Sequence, residues 1–162
     1  MIPNRLVLDT NVCLDLFVFD DPRWSALETA LRTGAVEAVT RVDCRTEWLL
    51  VLAYPQFALT PERRAHAIGR FDAAITCMAP APDSAVFPTT VAPLPRCADP
   101  DDQKFLEVAR DARAAVLVTK DKALLKLAGK CRRAGMFSIL KPEAWLNSPQ
   151  AGATVSANNA AC

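Results

Sequence analysis

The stretch RLVLDTN, residues 5–11, decides how the chain is read. Leu6, Val7 and Leu8 form an uninterrupted apolar run that suits a strand covered on both faces. The run stops abruptly at Asp9-Thr10-Asn11. Any turn-forming residue ends a strand, but the carboxyl ends of strands are also where open α/β folds place their chemistry. The meaning of Asp9 therefore depends on whether other carboxylates reach the same edge.

Outward from this stretch, strand and helix patterns alternate. Residues 11–19 and 20–34 read as helical, the second opened by Asp21 before Pro22 and stopped by Gly34. VEAVT (36–40) reads as a strand and 41–54 as a helix ending at Pro55. Thr60-Pro61 opens another helix, expected to run to about Met78. Six of the twelve prolines fall between Pro80 and Pro100, so 80–98 is expected to be an extended loop inside the domain. Then follow a helix at 99–112, a strand at 115–119, a helix at 120–129 closed by Gly129, a strand at 136–140 and a helical turn or two at 141–147. This alternation predicts an α/β fold with a parallel sheet and helices on both faces. Right-handed crossovers then bring the strand carboxyl ends to one edge. The expected domain is 1–147, and the small, polar residues 148–162 read as a flexible tail.

At 162 residues the chain buries a sufficient core without covalent staples. Its net charge is +1, from 19 Lys+Arg against 18 Asp+Glu, so nucleic-acid affinity must come from a local basic patch. Six cysteines, at 13, 44, 77, 97, 131 and 162, show no CxxC spacing, and the single His66 completes no Cys–His metal set. They read as free thiols in a reducing cytosol, with Cys13, Cys44 and Cys77 acting as small hydrophobes. Acids at 9, 15, 20 and 21 argue against a signal peptide. The longest apolar run, WLLVLAY (48–54), is far short of the about 20 residues of a membrane span. A cytoplasmic protein with no membrane partner is expected.

Asp121 follows the strand at 115–119 by two residues and would emerge beside Asp9. It reads equally as a first-turn acid that favours the helix dipole, with Thr119 as N-cap. Asp43 and Glu47 share one face of helix 41–54. Glu47 precedes the apolar block WLLVL, a costly place for an unpaired carboxylate, and Arg41 and Arg45 are expected to neutralise it. In ADPDDQKFL (98–106), Asp99 reads as N-cap and Pro100 as N1. Asp101 and Asp102 flank the apolar helix face at about 50° either side, so periodicity does not choose between them. Carboxylates that converge stay ionised only around a cation, and hard divalent ions prefer oxygen ligands. Metal-assisted phosphodiester cleavage follows that logic.

In order and spacing, VLDTNV (7–12), EWLLVLAYPQF (47–57), DPDDQKFLEVA (99–109) and AAVLVTKDKALL (114–125) resemble the PIN-domain family. The likeness spans about residues 4–141 and is greatest to the bacterial branch of toxin components of toxin–antitoxin pairs. It implies a three-layer α/β/α fold around a mostly parallel twisted sheet. It also implies a metal-dependent endoribonuclease whose Mg²⁺ or Mn²⁺ sits among Asp9, Glu47, Asp102 and Asp121. The resemblance selects Asp102 and leaves Asp101 as the secondary acid. Thr10, Asn11 and Thr119 match supporting polar positions. Many relatives carry a further acid where this chain has Ala123, which implies either one metal or a second completed by substrate. The implied reaction uses a metal-activated water and leaves a 5′-phosphate and a 3′-hydroxyl. It needs no histidine, and His66 reads as a surface residue. The implied partners are single-stranded RNA, an antitoxin protein and a second copy of the chain in a homodimer.

Lys104, close to Asp102, and Lys120, next to Asp121, are the expected RNA phosphate contacts, ahead of the basic run Lys122, Lys126, Lys130, Arg132 and Arg133. Trp24, Trp48 and Trp145 are expected in the core. Two other readings compete. A receiver-type signalling domain also holds Mg²⁺ in an acidic pocket, but it has no role for an acid at the start of helix 99–112 and wants paired acids after the first strand. A PIN fold used only to bind RNA or a partner draws support from Ala123. A phosphatase of the haloacid-dehalogenase type wants Asp-x-Asp, where this chain has Asn11. The nuclease reading leads.

Overall fold

The computed structural model describes residues 1–79, 92–149 and 151. Five strands form one sheet: β1 (Ile2–Leu8), β2 (Glu37–Thr40), β3 (Ile75–Cys77), β4 (Ala114–Val118) and β5 (Ser138–Leu140). Their order is β3-β2-β1-β4-β5, and every pairing is parallel. The helices are α1 (Thr10–Phe17), α2 (Ser25–Arg32), α3 (Val42–Leu52), α4 (Pro61–Ala74), α5 (Gln103–Asp111), α6 (Lys122–Leu125), α7 (Ala128–Arg133) and α8 (Pro142–Leu146). Short 3-10 turns at Pro22–Trp24, Pro55–Phe57 and Pro100–Asp102 lead into or connect them.

Side chains alternate across a strand, and here both faces are covered. Leu6 and Leu8 of β1 and Val116 and Val118 of β4 enter one core, with Leu16, Phe17, Leu27, Trp48 and Phe71. Val7 and Leu117 enter the other, with Phe105, Leu106, Leu124 and Cys131. This is the three-layer α/β/α arrangement expected. Leu6, Leu106 and Leu117 are wholly buried; truncating any of them to alanine is expected to cost about 2–5 kcal/mol. Trp24, Trp48 and Trp145 are buried as expected. Trp48 stacks on Phe71 at 5.2 Å, and Phe17 meets both rings edge-on.

Three boundaries differ from expectation. The helix expected to reach Met78 ends at Ala74, because Ile75–Cys77 leave it to pair with β2 as an edge strand. Three residues are too few for a period-2 signal to compete with a helical one, although Ile75 and Thr76 are β-branched. Cys77 is consequently exposed and does not act as the small core hydrophobe expected. The single helix at 120–129 is two, α6 and α7. Gly129 lies inside α7, and the left-handed residue after it is Gly135 at φ +67°. Gly34, at φ +74°, does follow α2 as expected. Finally, β1 begins at Ile2, and its register against β4 shifts between Ile2 and Leu6, which accommodates Pro3.

Of the expected loop, residues 80–91 lie outside the described residues, and 92–98 form no helix or strand. Of the expected tail, 150 and 152–162 lie outside them; Ala151 is buried, and its N–H donates to the Ser148 carbonyl at 3.1 Å. The strand order fixes where a ligand fits. The chain runs from β1 outward to β2 and β3, then crosses to the opposite side of β1 for β4 and β5. The order therefore reverses between β1 and β4, and the region beyond their carboxyl ends is where open α/β sheets hold their ligands.

Candidate active site

Asp9 stands at that reversal, immediately after β1, and is 3% exposed. Its N–H donates to the Val118 carbonyl at 3.0 Å, which seats it on the sheet edge. Although it occupies the N-cap of α1, its side chain makes no capping bond. Instead Oδ2 accepts from Thr119 Oγ1 at 2.6 Å and from Asn11 Nδ2 at 3.0 Å.

Thr119 links the two strand ends. While its hydroxyl donates to Asp9, it accepts the Asp121 N–H at 2.9 Å. The N-cap of α6 is Asp121 rather than Thr119: its Oδ1 accepts from the N–H groups of Ala123 (2.7 Å) and Leu124 (3.1 Å). The capping and cluster readings of Asp121 are thus compatible, since the cap occupies one oxygen and Oδ2 has no partner among the described residues.

Glu47 arrives on α3. Its Oε1 accepts from Thr10 Oγ1 at 2.6 Å, and its Oε2 pairs with the Lys104 ammonium. The expected neutralisation by Arg41 and Arg45 does not occur. Arg41 binds Asp43 at 2.6 Å, Glu107 at 2.8 Å and Asp111 at 3.7 Å, and Arg45 binds Asp72 at 2.8 Å. Arg41 has acids of α5 within reach and Arg45 one of α4, so Glu47 and Asp43, four residues apart, face different partners.

Asp102 closes the 3-10 turn before α5 and is half-buried, while Asp101 is exposed. No hydrogen bond or ion pair to the Asp102 carboxylate occurs among the described residues. Burial, followed by the fields of Asp9, Asp121, Asp99 and Glu47, pushes its pKa up to about 7. Burial also pushes Asp9 up to about 6, helped by Glu47 and Asp121 and opposed by the Thr119 hydrogen bond. Asp9, Glu47, Asp102 and Asp121 therefore lie within each other's field, having arrived from β1, α3, the α5 turn and the β4–α6 connection.

The two expected phosphate-binding lysines have internal partners. Lys104 pairs with Glu47, and Lys120 Nζ donates to Asp15 Oδ2 at 2.6 Å. Asp15 was not singled out from the sequence, yet it is one of the few buried acids. Its Oδ2 also accepts from Trp24 Nε1 at 3.2 Å. It sits one turn after Asn11 on α1, and Asn11 Oδ1 accepts the Lys120 N–H at 3.2 Å. That four-residue spacing was the available signal. The thiols of Cys13 and Cys44 are pushed up by burial, Cys44 to about 12, so neither is a nucleophile. His66 is exposed on α4.

Among the described residues, no three His, Cys, Asp or Glu side chains stand in a group that could hold a metal as posed. The oxygens of Glu47 and Oδ1 of Asp121 are turned to protein partners. The donor set nevertheless suits a hard divalent ion. It offers only oxygen, its acids repel one another, and among the described residues Asp102 has no hydrogen-bond or ion-pair partner. Among the described residues no helix is long and apolar enough to cross a membrane.

No curated protein and no solved structure matches the chain. The model of the PIN domain family matches residues 5–123, a span that contains all four acids. PIN domains are in general metal-dependent nucleases that use divalent ions such as Mg²⁺. A match of that extent, on a five-stranded parallel sheet of this layering, places the chain: it belongs to the PIN domain family.

Proposed function

We propose that this protein is a metal-dependent endoribonuclease acting on single-stranded RNA in the cytoplasm, and that it is the toxin of a toxin–antitoxin pair. The observation that carries the reading is the convergence of four carboxylates at the strand-order reversal, where burial, and after it the fields of the neighbouring acids, pushes Asp102 up to about 7. Asp9, Asp102 and Asp121 hold Mg²⁺ or Mn²⁺, and Glu47 completes the acidic rim. The bound ion supplies a water of lowered pKa and offsets charge on the scissile phosphate.

The chain's own groups prepare the site. Thr119 and Asn11 fix the Asp9 carboxylate by donating to one of its oxygens. The α6 amides fix Asp121 through Oδ1. The extended backbone of single-stranded RNA fits a site at the sheet edge. Val42 and Leu50, both exposed large apolar residues on α3, are the contacts that a homodimer would cover.

The test is cleavage of labelled single-stranded RNA in Mg²⁺, Mn²⁺ or EDTA by the wild type, Asp9→Asn and Asp102→Asn. Cutting that needs metal and is lost in both variants supports the nuclease. No cutting and no calorimetric metal binding overturns it, and leaves the fold as an RNA- or partner-binding module. Growth arrest on expression of the wild type, absent with Asp9→Asn, is the outcome expected of a toxin. Equal growth of the two strains overturns that part alone.

A further inference from the structure

We infer that Lys104 is a resident counter-cation that withholds Glu47 from the metal, so that the site takes one divalent ion, on Asp9, Asp102 and Asp121. This rests on the metal-dependent reading above.

The assignment follows from counting carboxylate oxygens. Both oxygens of Glu47 are engaged, Oε1 by Thr10 Oγ1 at 2.6 Å and Oε2 by the Lys104 ammonium. Asp9 Oδ2 takes two donors, and Asp121 Oδ1 takes two amides. The oxygens left over among the described residues are Asp9 Oδ1, Asp121 Oδ2 and the pair on Asp102. They belong to three residues and supply one hard ion that keeps waters in its remaining positions. With both its oxygens engaged, Glu47 does not anchor a second ion.

Lys104 is not a passing surface contact. Its side chain is 17% exposed, and its ammonium also donates to the Asp101 carbonyl and lies 5.3 Å from the centre of the Phe105 ring. An ion that used Glu47 as a ligand would have to expel this ammonium from a shielded position. It would then sit beside a positive charge still held at the Asp101 carbonyl.

The test is calorimetric titration of the full chain with Mn²⁺ in the absence of RNA, for the wild type, Lys104→Met, Lys104→Arg and the double variant Lys104→Met/Glu47→Gln. The expected stoichiometries are one ion for the wild type, two for Lys104→Met, and one for both Lys104→Arg and the double variant. Two ions in the wild type, or one in Lys104→Met, overturn the inference and leave the nuclease reading standing. No ion in the wild type overturns the nuclease reading itself, and the inference with it.

If Lys104→Met does not fold by circular dichroism, Glu47→Gln decides. Its one-ion affinity should weaken less than about tenfold, against about a hundredfold or more for Asp9→Asn. A loss in Glu47→Gln as large as that in Asp9→Asn overturns the inference. RNA affinity measured in EDTA adds a second readout. Equal affinity of wild type and Lys104→Met is expected of a counter-cation, and a marked loss marks Lys104 as a phosphate contact instead.

Discussion

Two kinds of carboxylate lie near the strand reversal, those without a lysine, here the floor, and those paired with one, the rim, and they differ in what stands opposite them. On the floor, neither Asp9 nor Asp102 has an ion-pair partner among the described residues, and burial with the fields of neighbouring acids pushes both up, to about 6 and about 7. On the rim, Glu47 and Asp15 each hold a lysine, Lys104 and Lys120. The chemistry of the group is the same in both places. A chain arranged for stability alone would pair every buried acid. This one concentrates unrelieved negative charge at the strand reversal and relieves it one side chain away. Such a contrast is the mark of a place kept for a cation from outside.

The largest effect is expected from breaking the floor. In single-turnover cleavage with saturating Mg²⁺, Asp102→Asn should lose at least about a hundredfold in rate, the scale of lost metal support. Lys120→Ala, on the rim, should lose much less. Equal losses would mean that floor and rim are not distinct.

The second effect is on stability against pH. Both floor carboxyls hold a proton more tightly folded than unfolded, so their contribution to the metal-free fold is full below about pH 4. It is lost as pH rises through about 6 for Asp9 and about 7 for Asp102. The thermal midpoint of the metal-free protein should therefore fall between pH 5 and pH 8, with Asp9 accounting for at most about 3 kcal/mol. Saturating Mn²⁺ should flatten the curve, and Asp9→Asn should melt higher than wild type at pH 7.5 without metal. A metal-free midpoint that rises over this range would contradict the floor electrostatics.

A smaller effect is expected on the rim. Asp15→Asn weakens the pairing of the Lys120 ammonium while the Trp24 bond can survive. Because Lys120 is partly exposed, the loss should be about 1–2 kcal/mol in urea denaturation. The smallest belongs to His66, exposed on α4: His66→Ala should change stability by less than about 0.5 kcal/mol and leave cleavage unchanged. Lost cleavage there would point to a histidine-based mechanism instead.

Much of the fold was legible because its signals are local. The apolar run 6–8, the proline at each of several helix starts and Gly34 after α2 act within a turn or two of themselves. The sheet's alternating layers follow from period and crossover handedness. Strand β3 was not legible, since three residues become a strand only through their partner, β2. The split of 120–129 was missed because a glycine tolerated inside a helix reads like one that ends it.

The site divides the same way. The sequence by itself put carboxylates at a strand end, on α3, at the start of α5 and after β4, because each is a local choice of residue at a local boundary. It could not say which acid keeps its charge uncompensated. That was decided by contacts between residues far apart in the chain: Thr119 on Asp9, Thr10 and Lys104 on Glu47, Lys120 on Asp15, and Arg41 drawn to Glu107 and Asp111. Coulomb fields and hydrogen bonds act through space, and only the packed sheet and helices set those distances.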